Sequence, residues 1–150
     1  MILNIFGQPG SGKTTISDFW KSHNPTWFQV DGDHLRDLLP NKNYTIAGRY
    51  DNINRANTIA TYLNHQHYHV VVSLMNPFRE LRKELKQLNP EQVFSVYLTS
   101  SRDLRREYHY EEFEIPKVDE NALHIDTTER SIDLTYKLIY EGFYHNPQGK

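Results

Sequence analysis

The sequence predicts an α/β fold of three layers, a parallel five-stranded sheet with helices on both faces. Three observations carry that expectation. Short apolar runs of strand length alternate with longer segments whose apolar residues recur at helical spacing. A glycine-rich stretch joins the first run to the first helical segment. No repeat or low-complexity segment interrupts the alternation, and such alternation buries a parallel sheet between two helical layers.

The elements follow in order. Strands are expected at Ile2–Phe6, Trp27–Val30, His69–Leu74, Gln92–Leu98 and Leu123–Ile125. Helices are expected at Lys13–Ser22, His34–Leu39, Tyr50–His65, Phe78–Leu88, Arg102–Tyr108 and Ser131–Tyr140. In the first helix Ile16, Phe19 and Trp20 share one face, and in the third Ile53, Ala56, Ile59, Ala60 and Leu63 form a stripe. Leu81, Leu85 and Leu88 do the same in the fourth, with Pro77 placed at its start. In a sheet of this kind ligands bind at the carboxyl ends of the strands. Each polar motif below falls just after an expected strand.

Gly7-Gln8-Pro9-Gly10-Ser11-Gly12-Lys13-Thr14 fits G-x-x-x-x-G-K-[ST], the phosphate-loop pattern, and its strand–loop–helix context is the one that pattern requires. Glycines let backbone N–H groups converge on an anion, and the helix that follows turns its positive end toward the same point. Gly7, Pro9, Gly10, Ser11, Gly12, Lys13, Thr14 and Thr15 are therefore the expected ATP-binding residues. Lys13 would meet the β- and γ-phosphates, and the Thr14 hydroxyl is a hard oxygen ligand suited to Mg²⁺. A mere turn would not need Lys and Thr after the last glycine.

Composition narrows the class. With 150 residues the chain suits one domain with a proper core, here 37% hydrophobic and 13% aromatic with ten Tyr. A formal charge of −2 implies no general affinity for polyanions. The absence of Cys removes disulfides, thiolate metal sites and cysteine nucleophiles. Met1 leads straight into the first strand with no signal-like segment, and no apolar run spans a bilayer, so a cytoplasmic protein with no membrane partner is expected.

Asp31-Gly32-Asp33 at the second strand's end places two carboxylates together. In phosphoryl transfer, Asp31 and Asp33 could hold Mg²⁺ or accept a hydroxyl proton, while Asp33 could equally cap the following helix. Arg36 lies one turn on, ready for a bidentate anion contact. Arg49, Asn52 and Arg55 recur at three-residue spacing opposite an apolar stripe, which suits recognition of a nucleotide as well as a solvated face. Ser73 and Asn76 end the third strand, and Arg79 opens a helix against its dipole, which hints at an anion there.

Taken together, G-Q-P-G-S-G-K-T-T, D-G-D-H-L-R, Y-T-I-A-G-R-Y-D-N-I-N-R, V-V-S-L-M-N-P-F-R, V-Y-L, F-E-I-P and H-I-D-T resemble, in collinear order, the adenylylsulfate (APS) kinase family of P-loop kinases. The resemblance implies a P-loop NTP hydrolase-like fold and transfer of the ATP γ-phosphate to the 3′-hydroxyl of APS with Mg²⁺. It implies catalytic roles for Lys13, Asp31, Asp33 and Arg102, and metal-holding roles for Thr14 and Asp31. Acceptor contacts would come from Asp33, Arg36, Tyr44, Arg49, Asn52, Ser73 and Arg79, with Tyr44 where the family has a stacking Phe.

One departure bears on the acceptor. The family carries a long basic lid, whereas here Arg102 reaches Phe113-Glu114-Ile115-Pro116 almost directly, a short lid over about residues 102–116. Tyr108, Tyr110 and Phe113 are alternative stacking residues, and Arg105 and Arg106 join Arg102 as candidate clamps. An open site leaves a hydroxymethylated pyrimidine in phage-type DNA as an alternative acceptor, against which the negative charge argues. A nucleotide switch without acceptor would leave the D-G-D pair and Arg36 unused. A homodimer stays open. His65, His67 and His69 read as a polar turn rather than a metal site, and residues 145–150 read as a frayed tail.

Overall fold

The computed structural model describes residues 1–102 and 106–145. Five strands, β1 (Ile2–Phe6), β2 (Phe28–Asp31), β3 (Val70–Leu74), β4 (Val93–Thr99) and β5 (Leu123–Asp126), form one sheet in the order β2-β3-β1-β4-β5. Every pairing is parallel, with Ile2 opposite both Val70 and Val93, so β1 is central. Among the described residues five helices accompany the strands, α1 (Lys13–His23), α2 (Gly32–Leu38), α3 (Ile46–His65), α4 (Arg79–Leu88) and α5 (Ile132–His145), with α2 and α3 in succession between β2 and β3. The expected three-layer α/β arrangement is the one observed.

The alternation of side chains along β1 divides the core. Leu3 and Ile5 pack with Trp20 of α1, Trp27, and Ile139 and Phe143 of α5. Ile2 packs on the opposite face with Ala56 and Ala60 of α3 and Leu81 and Leu85 of α4. Because helices cover both faces, β1 and β3 are mostly apolar, broken by Asn4 in one and Ser73 in the other, and each is buried along its length.

Boundaries differ from expectation in two places that matter. Helix α3 begins at Ile46 rather than Tyr50, because Thr45 caps it by accepting the Gly48 N–H at 3.2 Å. Among the described residues no helix corresponds to the one expected over Arg102–Tyr108: β4 is followed by two 3₁₀ turns, Arg106–Tyr108 and Val118–Glu120. Residues 103–105, including Arg105, and 146–150, where the tail was read as frayed, lie outside the described residues.

Residues 106–121 instead run as a strap across the sheet's carboxyl end and down onto α4. Phe113 stacks on Tyr97 at 5.7 Å, and the Glu114 N–H donates to Pro77 O at 2.9 Å. Arg82, only 3% exposed, anchors the strap. Its guanidinium donates to Glu120 Oε1 (2.8 Å), Glu114 O (2.7 Å) and Asn76 O (2.9 Å), and lies 4.8 Å from the Phe6 ring centre. Burial alone would raise the Glu120 pKa, but bonds from Arg82 and the Lys117 N–H outweigh it and hold the carboxyl below its ordinary range.

Candidate functional site

The carboxyl ends of β1, β2 and β3 open into a cavity of about 890 Å³. One wall is the phosphate loop. Gly10 and Gly12 have φ of 86° and 97°, values that side-chain-bearing residues rarely adopt, and they bend the backbone into a cradle ahead of α1. Pro9, Gly10, Gly12, Lys13, Thr14 and Thr15 line it. Gly7 and Ser11 lie beneath the loop: Gly7 N–H donates to Met75 O at 3.3 Å, and Ser11 is buried with its N–H on Gln8 O at 3.2 Å. Lys13 Nζ reaches back to Gln8 O at 2.9 Å.

The middle of the cavity holds the acidic pair. Asp31 Oδ1 accepts from the Thr14 hydroxyl at 2.9 Å and from the Ser73 hydroxyl at 2.7 Å, while Oδ2 takes the His34 N–H at 3.3 Å. The N-cap of α2 is therefore Asp31, not Asp33. Asp33 is exposed in the first turn of α2 and lines the cavity. The parallel register that sets Asp31 opposite Ser73 brings the two strand ends together.

This chemistry fits a magnesium–triphosphate pair. The loop offers converging N–H groups and an ammonium, and the Thr14 hydroxyl beside Asp31 offers the hard oxygens that Mg²⁺ takes.

The far wall is cationic and aromatic. Arg36 is buried, its Nη1 donating to Asn41 O (2.8 Å), Asn41 Oδ1 (3.2 Å) and Asn43 O (3.1 Å), with Cζ 4.2 Å from the Tyr44 ring centre. Arg49 donates from Nε to Tyr44 O at 3.0 Å and lies 5.1 Å from the Tyr110 ring centre. Burial, then the neighbouring Arg36, lowers the Arg49 pKa; Tyr110 and Tyr44 act the other way. Among the described residues no carboxylate pairs with Arg36 or Arg49. Two adjacent guanidinium groups without a carboxylate partner suit an anion.

Asn52 stands between the walls, its Nδ2 on Gly32 O at 3.3 Å and its buried Oδ1 without a partner. Arg102 lines the cavity on the β4–β5 side, where its guanidinium donates to Ser100 Oγ at 3.0 Å and Thr127 Oγ1 at 3.2 Å.

Two arginines do not join this wall. Arg79, expected at the acceptor, lies outside the cavity because the returning strap takes its guanidinium: Glu120 at 3.2 Å, Glu114 at 3.4 Å and Ile115 O at 2.9 Å. Arg55 pairs with Asp51 at 3.1 Å and donates to Leu39 O. Of the three candidate stacking rings, Tyr108 lines the cavity, Tyr110 supports Arg49, and Phe113 packs on Tyr97. Sequence reasoning passed over Glu107 and His109, which also line it. His109 Nε2 meets Pro9 O at 2.9 Å, a contact one hundred residues apart in sequence that no local signal could reveal.

Comparisons with known proteins bear on the family and the fold. The family model described as adenylylsulphate kinase matches residues 1–112. The adenylyl-sulfate kinase of Buchnera aphidicola is 28% identical over 120 residues, covering 72% of this chain and 58% of that protein. The cytidine diphosphoramidate kinase of Campylobacter jejuni is 34% identical over 93 residues, covering 57% of this chain and 55% of that protein. The chain thus aligns with little more than half the length of these curated relatives. Among solved structures, the Mycobacterium tuberculosis APS kinase in complex with AMPPNP and APS superposes with a TM-score of 0.76 at 21% identity, over 93% of this chain and 95% of that one. A gluconokinase from Sinorhizobium meliloti gives 0.72 at 16% identity, over 95% and 91%. These likenesses at low identity concern the fold. With the family match over residues 1–112, this chain belongs to the adenylylsulphate kinase family of P-loop kinases.

Proposed function

We propose that the protein transfers the γ-phosphate of ATP, with Mg²⁺, to a hydroxyl of a nucleotide-like acceptor, first of all the 3′-hydroxyl of adenylyl sulfate. One observation carries the reading: a single cavity joins a phosphate loop and its Thr14–Asp31 pair to two guanidiniums, Arg36 and Arg49, that have no carboxylate partner among the described residues. ATP phosphates would lie in the loop against Lys13, and the acceptor's anion against the arginines. Bound Mg²⁺ would neutralise charge on the phosphate oxygens.

The chain's own residues do the rest. Thr14 and Asp31 would hold Mg²⁺ against the triphosphate, and Ser73 keeps Asp31 in place. Arg36 and Arg49 orient the acceptor, and Tyr44 offers its base a ring already backed by Arg36. Asp33 takes the hydroxyl proton as the new O–P bond forms and ADP leaves. Most of the acceleration comes from positioning and charge neutralisation rather than covalent chemistry.

The short strap favours a second acceptor. Where the family's basic lid would close, this chain presents Glu107, Tyr108 and His109, which weakens the case for a sulfated nucleotide. The relative named for cytidine diphosphoramidate suggests a nucleoside diphosphate bearing a nitrogen substituent. A panel assay separates these readings: γ-labelled ATP with adenylyl sulfate, cytidine diphosphoramidate, and DNA containing hydroxymethylated pyrimidine. Label on adenylyl sulfate supports the first reading and label on the cytidine nucleotide the second. Label on DNA alone, or only free phosphate, overturns both.

A further inference from the structure

The strap is tied to the phosphate loop by two side chains: His109 Nε2 meets Pro9 O at 2.9 Å, and Gln8 pairs with the backbone of Tyr110. Gln8 Nε2 donates to Tyr110 O at 2.7 Å, and Gln8 Oε1 accepts the Tyr110 N–H at 3.0 Å. The carboxamide therefore pairs with both backbone groups of one strap residue, as a neighbouring strand would. The phosphate-loop pattern leaves position 8 open to any residue, so nothing in anion binding itself demands glutamine there.

The ring of that same Tyr110 lies under an acceptor arginine. It sits 5.1 Å from Arg49 Cζ and packs edge-on against Phe78 at 5.7 Å. Arg49 is held on its other side by Tyr44. Loop, strap and arginine form one contiguous unit: Gln8 grips the Tyr110 backbone, and the Tyr110 ring backs the guanidinium.

We propose that Gln8 and Tyr110 are positioning residues that couple occupancy of the phosphate loop to the placement of Arg49. This rests on the nucleotide reading of residues 7–15. An anion drawn into the loop fixes the backbone on either side of Gln8. Through the paired amide the strap is fixed with it, and the Tyr110 ring restrains Arg49 against the acceptor. The short strap thereby does by a preformed contact what a long lid does by closing. Coupling of this kind is a free energy shared between two sites, and a demonstration requires the response of one to the other.

The response can be read without any acceptor. Phenylglyoxal modifies guanidinium groups, and peptide mass mapping follows Arg49 alone. Saturating MgAMPPNP, with occupancy of each variant verified by thermal shift, should slow Arg49 modification in the wild-type chain about fivefold, the low end of ordinary site–site coupling. Gln8→Leu should abolish the slowing at full occupancy, as should Tyr110→Leu. Tyr110→Phe, which keeps the backbone pairing and the ring, should restore it. A role confined to stability would leave the slowing intact in every variant that binds nucleotide. Equal slowing in the wild-type chain and Gln8→Leu would mean that nucleotide shields Arg49 directly, and would overturn the coupling. So would the absence of any slowing in a wild-type chain that binds MgAMPPNP. Failure of the wild-type chain to bind MgAMPPNP overturns the nucleotide reading itself, and the coupling falls with it.

Discussion

Replacing Asp31 separates folding from function. In Asp31→Ala, α2 loses its N-cap, a change that costs about 1 kcal/mol. The Ser73 hydroxyl, buried and bonded to Asp31 at 2.7 Å, is left without that acceptor, which adds about 1–3 kcal/mol. Thr14 is exposed, so water replaces its lost bond at little cost. The sum, about 2–4 kcal/mol, corresponds to a fall in Tm of about 5–12 °C for a domain of this size. Asp31→Asn keeps one side-chain oxygen for both hydroxyls and gives up the cap bond made by Oδ2, about 1 kcal/mol, so it should lower Tm by no more than about 4 °C. It nevertheless removes the charge that would face the metal under the proposed function. The Mg²⁺-dependent part of the ATP-induced rise in Tm should then disappear in Asp31→Asn, and turnover on any accepted substrate should fall about a hundredfold. Differential scanning calorimetry with ATP alone and with ATP plus Mg²⁺ reads both effects. An Asp31→Asn protein with full Mg²⁺ dependence, or an Asp31→Ala protein as stable as wild type, would refute the reasoning.

Further expectations follow from the strap and from the Arg36 turn. Arg82→Met leaves Glu120 without its main partner and should destabilise by about 3–5 kcal/mol by urea unfolding, whereas Arg82→Met with Glu120→Leu should recover part of that loss. Equal loss in the single and double variants would show that the pair is not the cause. Because the folded pKa of Glu120 lies below the ordinary 4.5, its contribution is present above pH 4.5 and is lost as pH falls through the depressed folded value. Glu120→Gln should flatten the stability–pH slope in that acid window, and an unchanged slope would assign it to other carboxyls. At Gly48 an added Cβ would stand 2.2 Å from Asn43 O and 2.6 Å from Asn43 Cγ, in the turn that holds Arg36. Gly48→Ala should cost about 1–3 kcal/mol and weaken acceptor binding more than MgATP binding; weakening of both alike by calorimetry would contradict that placement.

The fold was legible because the sequence states it locally. Strand-length apolar runs, a glycine loop and helical stripes each mark their own element, and boundaries moved by only a residue or two except where Thr45 starts α3 early and where α5 runs on from Tyr140 to His145. The phosphate loop and the Asp31–Gly32–Asp33 pair were equally legible, since each lies within one strand–turn–helix. Arg79 was not. An arginine opening a helix looks unpaired when its partners, Glu114 and Glu120, are 35 and 41 residues away. The same holds for Gln8 with Tyr110, 102 residues apart, whose pairing depends on where a shortened strap comes to rest. The expected helix after β4 gave way to one 3₁₀ turn among the described residues, and the apolar periodicity there was too short to arbitrate.

Titration of the protein with MgAMPPNP in a calorimeter tests most directly the proposal that residues 7–15 grip a triphosphate. The geometry of Lys13, Thr14 and Asp31 requires one-to-one binding that weakens sharply when EDTA removes the metal. A flat trace at millimolar nucleotide, with magnesium present, would contradict it.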